Sequence, residues 1–405
     1  MRVLVTSSRN PFALDIIRKL GSSGHSVVAS DTYGGAVGSH SKYLTGHEVT
    51  ASPRYETDRF IDDVNGIVEK YGIEVILPSF EEAFYLAARS KDLPEDVTLY
   101  TGNFDKLARL HDKASFKRLC QDAGVPVPET TVVTSQRELQ EAIQKYPRYF
   151  ARAAFSRGGV ALLTNTGPLA GKLDPEDVTP TPDQPWLVQP FVDGPMVCTY
   201  STIVEGRITS HCTYSVPEQW DHSTGVAFLA VDSTETLEYI QKLVDTLDPH
   251  FTGQLSFDFV NDNGQLYAIE CNPRPTNGVI LIETEGFVEA LQGKNKDVVV
   301  AVPGTEREIK SAVVADAFTE PLKHLPTTLH DAIKVKDIDS GWHDSIAMMW
   351  SPASLVHGAK LSKKDHGEIL AALGDDIVWN GEPIPGMTKE DAEALEAVHE
   401  GRNQS

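Results

Sequence analysis

Residues 255–260 of this 405-residue chain read LSFDFV, and residues 269–274 read IECNPR. The turn sequence NDNG lies between them at 261–264, so the segment predicts two antiparallel strands joined by a hairpin turn. Side chains alternate between the two faces of a strand. Glu270 and Asn272 therefore point to one face of the second strand, while the apolar residues beside them point to the other.

The hairpin carries a candidate metal site. Asp258, on the first strand, shares a face with Glu270 if the loop has an odd residue count, as a loop over 261–265 has, or if a bulge shifts the register. With Asn272, these side chains form a cluster of oxygen ligands of the kind that Mg²⁺ prefers. Arg274 follows, and its planar guanidinium suits a phosphate or a carboxylate. Taken alone, acidic residues in a hairpin are more often solvated, so the interpretation depends on the rest of the chain.

Composition limits the classes of function. The length fits about two or three domains, and the net charge of −22 makes long nucleic acids poor partners. No apolar run is long enough to span a bilayer, and the first residues lead into a strand without the pattern of a signal peptide. Four scattered cysteines without a CxxC pair indicate a reducing compartment. We expect a cytoplasmic protein that binds neither nucleic acid nor membrane.

The N-terminal part alternates short apolar runs with amphipathic segments. Strands are predicted at 3–5, 27–29, 75–78 and 97–100, and helices at 11–20, 60–71 and 81–90. This order predicts a parallel sheet with right-handed crossovers. The loop at 6–11 lacks the GxGxxG fingerprint, so we expect a structural turn or a substrate contact there rather than an NAD site. Ser79, Glu81 and Glu82 follow a predicted parallel strand and are candidate substrate contacts, since the acidic pair could attract an ammonium group. The favoured interpretation is that Glu81 and Glu82 complement the dipole of the helix that begins there.

The pattern is mixed beyond residue 103. Helices are predicted from 104, at 113–123, at 135–145 with Ser135 and Glu138 as a capping box, and at 235–247; strands are predicted at 148–152, 186–189 and 197–203. The proline-rich stretch 166–186 predicts an irregular connection. After residue 300 the pattern is weak, with strands indicated at 313–317 and 346–349 and a short helix at 369–373. The lone histidines His211 and His222 are expected at the surface.

Four features follow one another along the chain. They are Lys113 at a helix start, Arg152 at a strand end before a Ser-Arg-Gly-Gly loop, Gln189 before a segment closed by Gly194, and the cluster of Asp258, Glu270 and Asn272. This order resembles the ATP-grasp superfamily, in particular its carboxylate–amine ligases and the branch similar to carbamoyl-phosphate synthase. The resemblance covers roughly residues 1–290, and its strongest motif is the ExNxR at 270–274.

The resemblance implies a role for each matching residue. Lys113 and Arg152 are expected to bind the phosphates of ATP, with Arg152 standing where the family has a second lysine. Ser156, Gly158 and Gly159 belong to the loop that is expected to fold over the phosphates. The adenine is expected along a segment of four residues: Gln189, Pro190, Phe191 and Val192.

The remaining implied roles concern the metal and the reaction. Mg²⁺, with Mn²⁺ as an alternative, is expected at Asp258, Glu270 and Asn272. Arg274 is expected to hold the carboxylate or acyl phosphate, with Arg152 and Lys113 as further catalytic residues. Each residue also has a structural interpretation: Lys113 as a solvated helix lysine, Arg152 as a strand-edge arginine, the glycine loop as a hairpin turn and Arg274 as a phosphate-only contact or a salt bridge.

The implied fold is of the α/β class: an ATP-grasp fold with an N-terminal Rossmann-like parallel-sheet domain, a small lid and a central antiparallel-sheet domain. We expect four regions: the N-terminal domain at 1–103, a helical linker and lid at 104–188, a catalytic subdomain with the metal site at 189–300, and a C-terminal extension at 301–405. The extension is expected to complete the acceptor pocket or to mediate a homodimer.

The implied activity is ATP-dependent ligation of two small molecules. A carboxylate is activated as an acyl phosphate, ADP and phosphate are released, and an amine, with an amino acid as the expected class, forms an amide. The alternative is an ATP-binding regulatory or degenerate ATP-grasp protein without ligation. It is favoured by Gln189, where many members have Glu, and by Met196, where some members have a ribose-binding Glu.

Overall fold

The computed structural model describes residues 1–156, 161–220, 224–309, 344 and 374–401. The strands and helix predicted at 313–317, 346–349 and 369–373, and His222, lie outside these residues. The helices are α1 (Pro11–Ser22), α2 (Thr57–Tyr71), α3 (Glu82–Ala88), α4 (Phe104–His111), α5 (Lys113–Asp122), α6 (Gln136–Ile143), α7 (Thr234–Val244), α8 (Thr284–Leu291) and α9 (Lys389–Gly401). The strands are β1 (Arg2–Val5), β2 (Ser26–Asp31), β3 (Gly46–Val49), β4 (Val75–Leu77), β5 (Thr98–Leu99), β6 (Thr131–Val133), β7 (Tyr149–Ala153), β8 (Leu162–Thr164), β9 (Trp186–Pro190), β10 (Met196–Val204), β11 (Arg207–Trp220), β12 (Thr224–Val231), β13 (Gly253–Asp262), β14 (Gln265–Asn272), β15 (Val299–Val300) and β16 (Glu306–Glu308).

The N-terminal part is a five-stranded parallel sheet in the order β3-β2-β1-β4-β5. Val3, Leu4 and Val5 of the central strand β1 are fully buried, because helices cover both faces of the sheet. The predicted parallel sheet is confirmed. The edge strand β3 was not predicted, since its sequence GHEV lacks an apolar pattern.

A second sheet forms the centre of the molecule and is antiparallel along its main order, β14-β13-β10-β11-β12-β16. The short strand β15 pairs with β11 in parallel. Leu255, Phe257 and Phe259 of β13 pack on one face, in a cluster that includes Phe116 of α5. Tyr200 of β10 is buried on the other face. The mixed α/β class with a central antiparallel sheet, as predicted, is therefore confirmed.

A small third sheet, called the lid sheet here, has the order β6-β9-β7-β8 and packs against α6. The side chain of Ser135 accepts a hydrogen bond from the N–H of Glu138, as the predicted capping box requires. The carboxylate of Glu138 instead accepts from the N–H of Thr134 at 2.8 Å, one residue before the position expected for the reciprocal bond.

The C-terminal segment, residues 374–401, returns to the N-terminal part of the chain. Trp379 is fully buried and stacks on Phe84 with ring centres 4.6 Å apart, and it meets Phe155 edge-on. Asp376 forms an ion pair with Arg9 at 2.7 Å. The segment therefore connects the parallel sheet with the base of the lid sheet. Within the described parts of the chain, no helix has both the length and the apolar character needed to cross a membrane.

Candidate active site

The hairpin of β13 and β14 places Asp258 directly opposite Glu270, so the two carboxylates lie on the same face of the sheet. The hairpin turn consists of Asn263 and Gly264, and both residues have positive φ. The prediction of a five-residue loop over 261–265 is therefore wrong. A bulge next to Asp258 leaves Ile269 without a partner and shifts the register. The bulge is thus what brings the carboxylates together.

Asn272 completes a row of oxygen-bearing side chains on this face. Its Nδ2 donates to Glu270 Oε1 at 3.2 Å, and its Oδ1 accepts from Arg274 Nη2 at 3.1 Å. Among the residues that the structure describes, no group of three or more His, Cys, Asp or Glu side chains is arranged to hold a metal ion. Two carboxylates and one amide are nevertheless the hard oxygen donors that suit Mg²⁺ when water or phosphate oxygens complete the shell.

Two buried cations converge on Glu270. Arg152 Nη1 donates to Glu270 Oε2 at 2.7 Å, and Lys113 Nζ lies 3.5 Å from the same oxygen. Arg152 Nη2 also donates to the carbonyl of Ile269 at 2.5 Å. Only 3% of Lys113 and 6% of Arg152 is exposed. Lys113 is therefore not a solvated helix lysine, and Arg152 is not an exposed strand-edge arginine.

Local structure explains how these cations reach the hairpin. Lys113 is the first residue of α5, whose N-cap Asp112 accepts from the N–H of Ser115 at 2.8 Å. The Nζ of Lys113 donates to the carbonyl of Ser156 at 2.6 Å, and Ser156 lies at the start of the glycine-rich loop. Arg152 lies on β7 next to Ala151, and alternation sends Ala151 into the lid core while Arg152 points toward the hairpin. Gly158 and Gly159 lie outside the described residues.

The environments of the paired carboxylates separate their protonation. Burial and then the charge of Glu270 raise the pKa of Asp258 to about 7. Burial also acts to raise the pKa of Glu270, but the charges of Lys113 and Arg152 outweigh it and lower that pKa to about 2. Such a split is expected when one of two like-charged neighbours holds the cations. Near neutral pH, Glu270 is therefore fully ionised, while Asp258 changes its protonation state.

Arg274 is largely buried at the end of the hairpin. Its guanidinium carbon lies 4.2 Å from the centre of the Phe80 ring, and its Nε lies 3.8 Å from Glu81 Oε1. Phe80 and Glu81 follow β4 of the parallel sheet, where ligands of such sheets commonly bind. The position after a parallel strand made Glu81 a candidate substrate contact in the sequence. Its approach to Arg274 and the part played by Phe80 were not predicted.

The acidic pair before α3 has two different surroundings. Glu82 is the first residue of α3, and its Oε1 accepts from the N–H groups of Ser79 and Phe80 at 2.9 and 3.2 Å. This carboxylate therefore caps the turn that leads into the helix. Glu81 has no exposed surface and accepts from the N–H of Trp379 at 3.0 Å. The expected dipole contact is thus compatible with Glu82 and wrong for Glu81, which faces the C-terminal segment and Arg274.

The expected adenine segment is the hinge between the lid sheet and the central sheet. The amide of Gln189 donates to the hydroxyl of Thr130 at 2.8 Å, and the N–H of Phe191 donates to the carbonyl of Arg148 at 2.9 Å. Pro190 ends β9, and Val192 is partly buried. These contacts fix the hinge backbone and engage the Gln189 side chain.

Two other candidates lie away from this cluster. In the loop at 6–11, Arg9 is buried and forms ion pairs with Asp31 and Asp376 at 2.5 and 2.7 Å, so its guanidinium is committed to structure. His211, expected at the surface, is fully buried in the central sheet, and its ring nitrogens contact Ser201 and other hydroxyls. Burial lowers the pKa of His211 to about 3, which keeps the ring neutral.

The sequence of this chain is similar to part of a known protein. No family model matches the chain. A curated relative, the carbamoyl phosphate synthase large chain of Clostridium acetobutylicum, is 26% identical over 265 residues, which is 61% of this chain and 24% of that protein. The chain therefore spans about a quarter of the length of this relative.

Solved structures share the fold at low sequence identity. N5-carboxyaminoimidazole synthetase from Staphylococcus aureus, in complex with ADP, has a TM-score of 0.59 and 14% identity over 79% of this chain and 86% of that one. Phosphoribosylamine–glycine ligase from Thermotoga maritima has a TM-score of 0.57 and 16% identity over 76% and 78%. Biotin carboxylase from Campylobacter jejuni has a TM-score of 0.56 and 15% identity over 73% and 72%. The chain therefore has the ATP-grasp fold that these structures share, as the sequence resemblance implied.

Proposed function

We propose that this chain is an ATP-dependent ligase that activates a small-molecule carboxylate as an acyl phosphate and joins it to an amine. ADP and phosphate are the other products, and an amino acid is the expected class of amine. The observation that supports this most is the convergence of Lys113 and Arg152 on Glu270, with Asp258 directly opposite. Such a cluster combines phosphate-binding cations with oxygen ligands for a metal.

The carboxylates and the amide would hold the metal. Asp258, Glu270 and Asn272 lie on one face and offer only oxygen donors, which fits Mg²⁺, with Mn²⁺ as an alternative. Bound there with ATP, the ion supplies neutralisation of the charge on the phosphates. The chain provides the remaining positive charge through its own residues.

The two cations would bind the phosphates of ATP. Lys113 and Arg152 are held by Glu270 in this structure, and phosphate oxygens offer the same kind of charged acceptor. Lys113 also donates to the carbonyl of Ser156, which connects the cation with the loop that carries Gly158 and Gly159. We propose that this loop folds over the phosphates, where its backbone N–H groups approach the oxygens and water is excluded.

The hinge would hold the nucleoside. Backbone groups of Pro190, Phe191 and Val192 are proposed to contact the adenine, while the Gln189 amide, engaged by Thr130, supports the hinge. Met196 begins β10 opposite Val260 and is 43% exposed. A thioether does not replace a carboxylate as an acceptor for the ribose hydroxyls, so we expect modest nucleotide affinity.

The chemistry is a transfer in two steps. A carboxylate oxygen of the substrate attacks the γ-phosphorus and ADP leaves, which gives the acyl phosphate. The amine then attacks the carbonyl carbon, phosphate leaves with the C–O bond electrons, and the amine loses a proton. Arg274 is proposed to hold the carboxylate and then the acyl phosphate, because its guanidinium adjoins Asn272.

Related proteins guide the choice of test substrates. One solved neighbour, the biotin carboxylase domain of a 2-oxoglutarate carboxylase from Hydrogenobacter thermophilus, was determined with ADP, its magnesium salt and bicarbonate. Another is a phosphoribosylamine–glycine ligase. A panel for this chain therefore includes bicarbonate among the small carboxylates and amino acids among the amines. The homodimer stays a prediction from the sequence.

The test is release of ADP and phosphate from Mg-ATP against pooled amino acids and small carboxylates. Glu270→Ala is the inactivating variant, and Glu306→Ala is a matched control, since Glu306 is exposed on β16 of the same sheet. We expect release that needs two pool members, persists in Glu306→Ala and is lost in Glu270→Ala. Formation of AMP and pyrophosphate would refute the acyl-phosphate route.

A regulatory ATP-binding protein is the second candidate, and the exposed Met196 and the amide of Gln189 favour it. This candidate predicts Mg²⁺-dependent binding of ATP without release of ADP under any pool. In that case Glu270→Ala lowers the Mg²⁺-dependent part of the affinity for ATP, and there is no turnover for the substitution to change. The same set of variants therefore separates a ligase from a binding protein.

A further inference from the structure

Arg274 is enclosed by residues from a distant part of the chain. Phe80 lies under its guanidinium at 4.2 Å, within the range of a cation–π contact. Glu81 Oε1 lies 3.8 Å from Nε, a distance at which the two charges attract. Nη2 donates to Asn272 Oδ1 at 3.1 Å, and Nη1 donates to the carbonyl of Pro275 at 3.3 Å. Nε thus faces Glu81, while Nη2 meets the proposed metal ligand Asn272.

Glu81 is itself fixed from a third segment. Its side chain has no exposed surface, and its Oε2 accepts from the backbone N–H of Trp379 at 3.0 Å. Trp379 is held by aromatic rings, including Phe84 and Phe155. A buried carboxylate of this kind is held in place by packing and by its donors, so it presents a charge of fixed position to Arg274.

We infer that Glu81 is a positioning residue for Arg274, and that the C-terminal segment fixes Glu81 through Trp379. With its Nε attracted to Glu81 and Phe80 under its plane, the guanidinium keeps its Nη2 toward Asn272, where the acyl phosphate is proposed to lie. This inference rests on the proposed function. It adds that the anion pocket is assembled from the parallel sheet, the hairpin and the C-terminal segment together.

A matched pair of variants tests this inference. Glu81→Gln keeps an oxygen for the Trp379 N–H and removes the charge that faces Arg274. Asp31→Asn is the control, because Asp31 is a fully buried carboxylate at the end of β2, and it pairs with Arg9. Both substitutions remove one buried charge from an arginine pair in the same part of the chain, but only Glu81 contacts Arg274.

The first measurement is NMR of arginine Nε–Hε groups in the full-length protein, with the Arg274 signal identified by its absence in Arg274→Lys. We expect Glu81→Gln to increase the motion of the Arg274 side chain and Asp31→Asn to leave it unchanged. An Arg274 signal with the same position and order in Glu81→Gln overturns the inference, whatever the enzyme does.

The second measurement is ATP formation from MgADP and acetyl phosphate, which transfers the phosphoryl group from the acyl phosphate to ADP and releases acetate. We expect kcat to fall about tenfold or more in Glu81→Gln while the KM for ADP stays within about twofold. Asp31→Asn should retain the wild-type kcat per folded protein. An unchanged kcat in Glu81→Gln despite a mobile Arg274 overturns the catalytic consequence.

Failure of the proposed function has a different signature. If the wild-type protein forms no ATP from acetyl phosphate and releases no ADP in the pooled assay, the ligase proposal fails. The NMR comparison still decides whether Glu81 fixes Arg274 in that case. An Arg274 that loses order only in Glu81→Gln then supports the positioning role without the reaction.

Discussion

Asp258 and Glu270 are chemically similar and face each other, yet their neighbours give them different properties. Glu270 is contacted by two cations, which keep it charged. Asp258 is paired across the sheet with Cys198, whose thiol donates to it, and burial raises the pKa of Asp258 to about 7. The metal-free protein therefore gains a negative charge at Asp258 as the pH rises through neutrality.

The raised pKa of Asp258 predicts a pH-dependent stability. A carboxyl whose folded pKa is about 7, above its ordinary 3.8, contributes stability below 3.8 that is lost as the pH rises through 7. Asp258→Asn removes this loss. Without metal or nucleotide, we expect the variant to gain roughly 2–4 kcal/mol in unfolding free energy relative to wild type between about pH 5 and pH 8. Guanidinium unfolding at the two pH values measures it.

Asp262→Asn is the control for this prediction. Asp262 lies on the same strand at the turn and pairs with Gln265. Its substitution should leave the difference between the two pH values as in wild type. An Asp258→Asn protein that differs from wild type by the same free energy at both pH values would show that Asp258 titrates near its ordinary pKa. The lowered pKa of Glu270 acts in a separate range, because its contribution is lost only as the pH falls below 4.5 toward 2.

Arg152 makes two contacts that a lysine does not make together. One nitrogen donates to Glu270 and the other to the carbonyl of Ile269. We expect Arg152→Lys to weaken MgADP binding about tenfold, from the loss of one charged hydrogen bond, and Arg152→Met about a hundredfold or more. Calorimetry measures both affinities. Arg137→Met, on an arginine that is 77% exposed on α6, is the control and should bind as wild type. Equal affinity in Arg152→Met would exclude a phosphate role.

The sequence predicted the site residues unevenly, for physical reasons. Residue spacing placed Glu270 beside Asn272, and they do share a face. Residue spacing left the position of Asp258 open, because the bulge adds the unpaired residue Ile269 to the strand. Ile269 is apolar like the neighbouring Ala268, so the apolar pattern of the sequence does not reveal the bulge. Phe80 lies about 190 residues before Arg274, and contacts over such separations depend on how the sheets pack rather than on local sequence.

At the scale of elements, the hinge and the hairpin approach each other closely at Gly194. A methyl group there would collide with the backbone oxygen of Asn261. We expect Gly194→Ala to lower the unfolding free energy by about 1–3 kcal/mol, because the backbone oxygen is fixed in the hairpin. The proposed nucleotide site adjoins this contact, so MgADP affinity should fall as well. Thermal unfolding and calorimetry measure these effects.

Gly66→Ala is the control for the glycine prediction. Gly66 lies within α2, and a methyl group there meets open space. Alanine favours helix more than glycine does, so the expected change is a gain of up to about 1 kcal/mol. The two substitutions are therefore predicted to have opposite signs. A neutral Gly194→Ala would mean that the hinge moves away from the hairpin at little cost.

Element prediction succeeded where apolar patterns were strong and failed where buried strands were polar. β1 and α1 were predicted from continuous apolar runs and from helical spacing. β11, RITSHCTYSVPEQW, was not predicted, because hydroxyl-bearing residues obscure its pattern. Those hydroxyls are buried and bond to one another, as Thr202 does with Thr209 and Ser210. A strand can therefore be both polar and internal when its neighbours supply the partners.

At the scale of the molecule, the C-terminal segment joins the parallel sheet to the base of the lid sheet. Trp379 packs at this contact, with rings of Phe84, Phe104 and Phe155 within 5.4 Å centre to centre. We expect Trp379→Ala to lower the unfolding free energy by about 3–5 kcal/mol. Hydrogen exchange should show the loss of protection in α3, next to the parallel sheet, and in α4, since Phe84 and Phe104 of these helices pack on this residue.

Trp186→Ala provides the comparison for Trp379. Trp186 is buried in the core of the lid sheet. Its removal should expose β6, β7 and β9 to exchange and leave the parallel sheet protected. If Trp379→Ala affected only α9 in the same way, the C-terminal segment would be an attachment rather than part of the common core.

The ion pairs around Glu270 have a consequence for how nucleotide arrives. The carboxylate of Glu270 already offsets one of the two positive charges of Lys113 and Arg152, in a protein whose net charge is −22. A polyanion that enters alone would have to displace Glu270 and leave it uncompensated in a buried place. At the proposed site, a nucleotide that brings its own divalent counter-ion would offer phosphate oxygens to the cations, and Glu270 would then be available to hold the metal. We therefore expect this site to bind the complex of nucleotide and metal more tightly than either component alone.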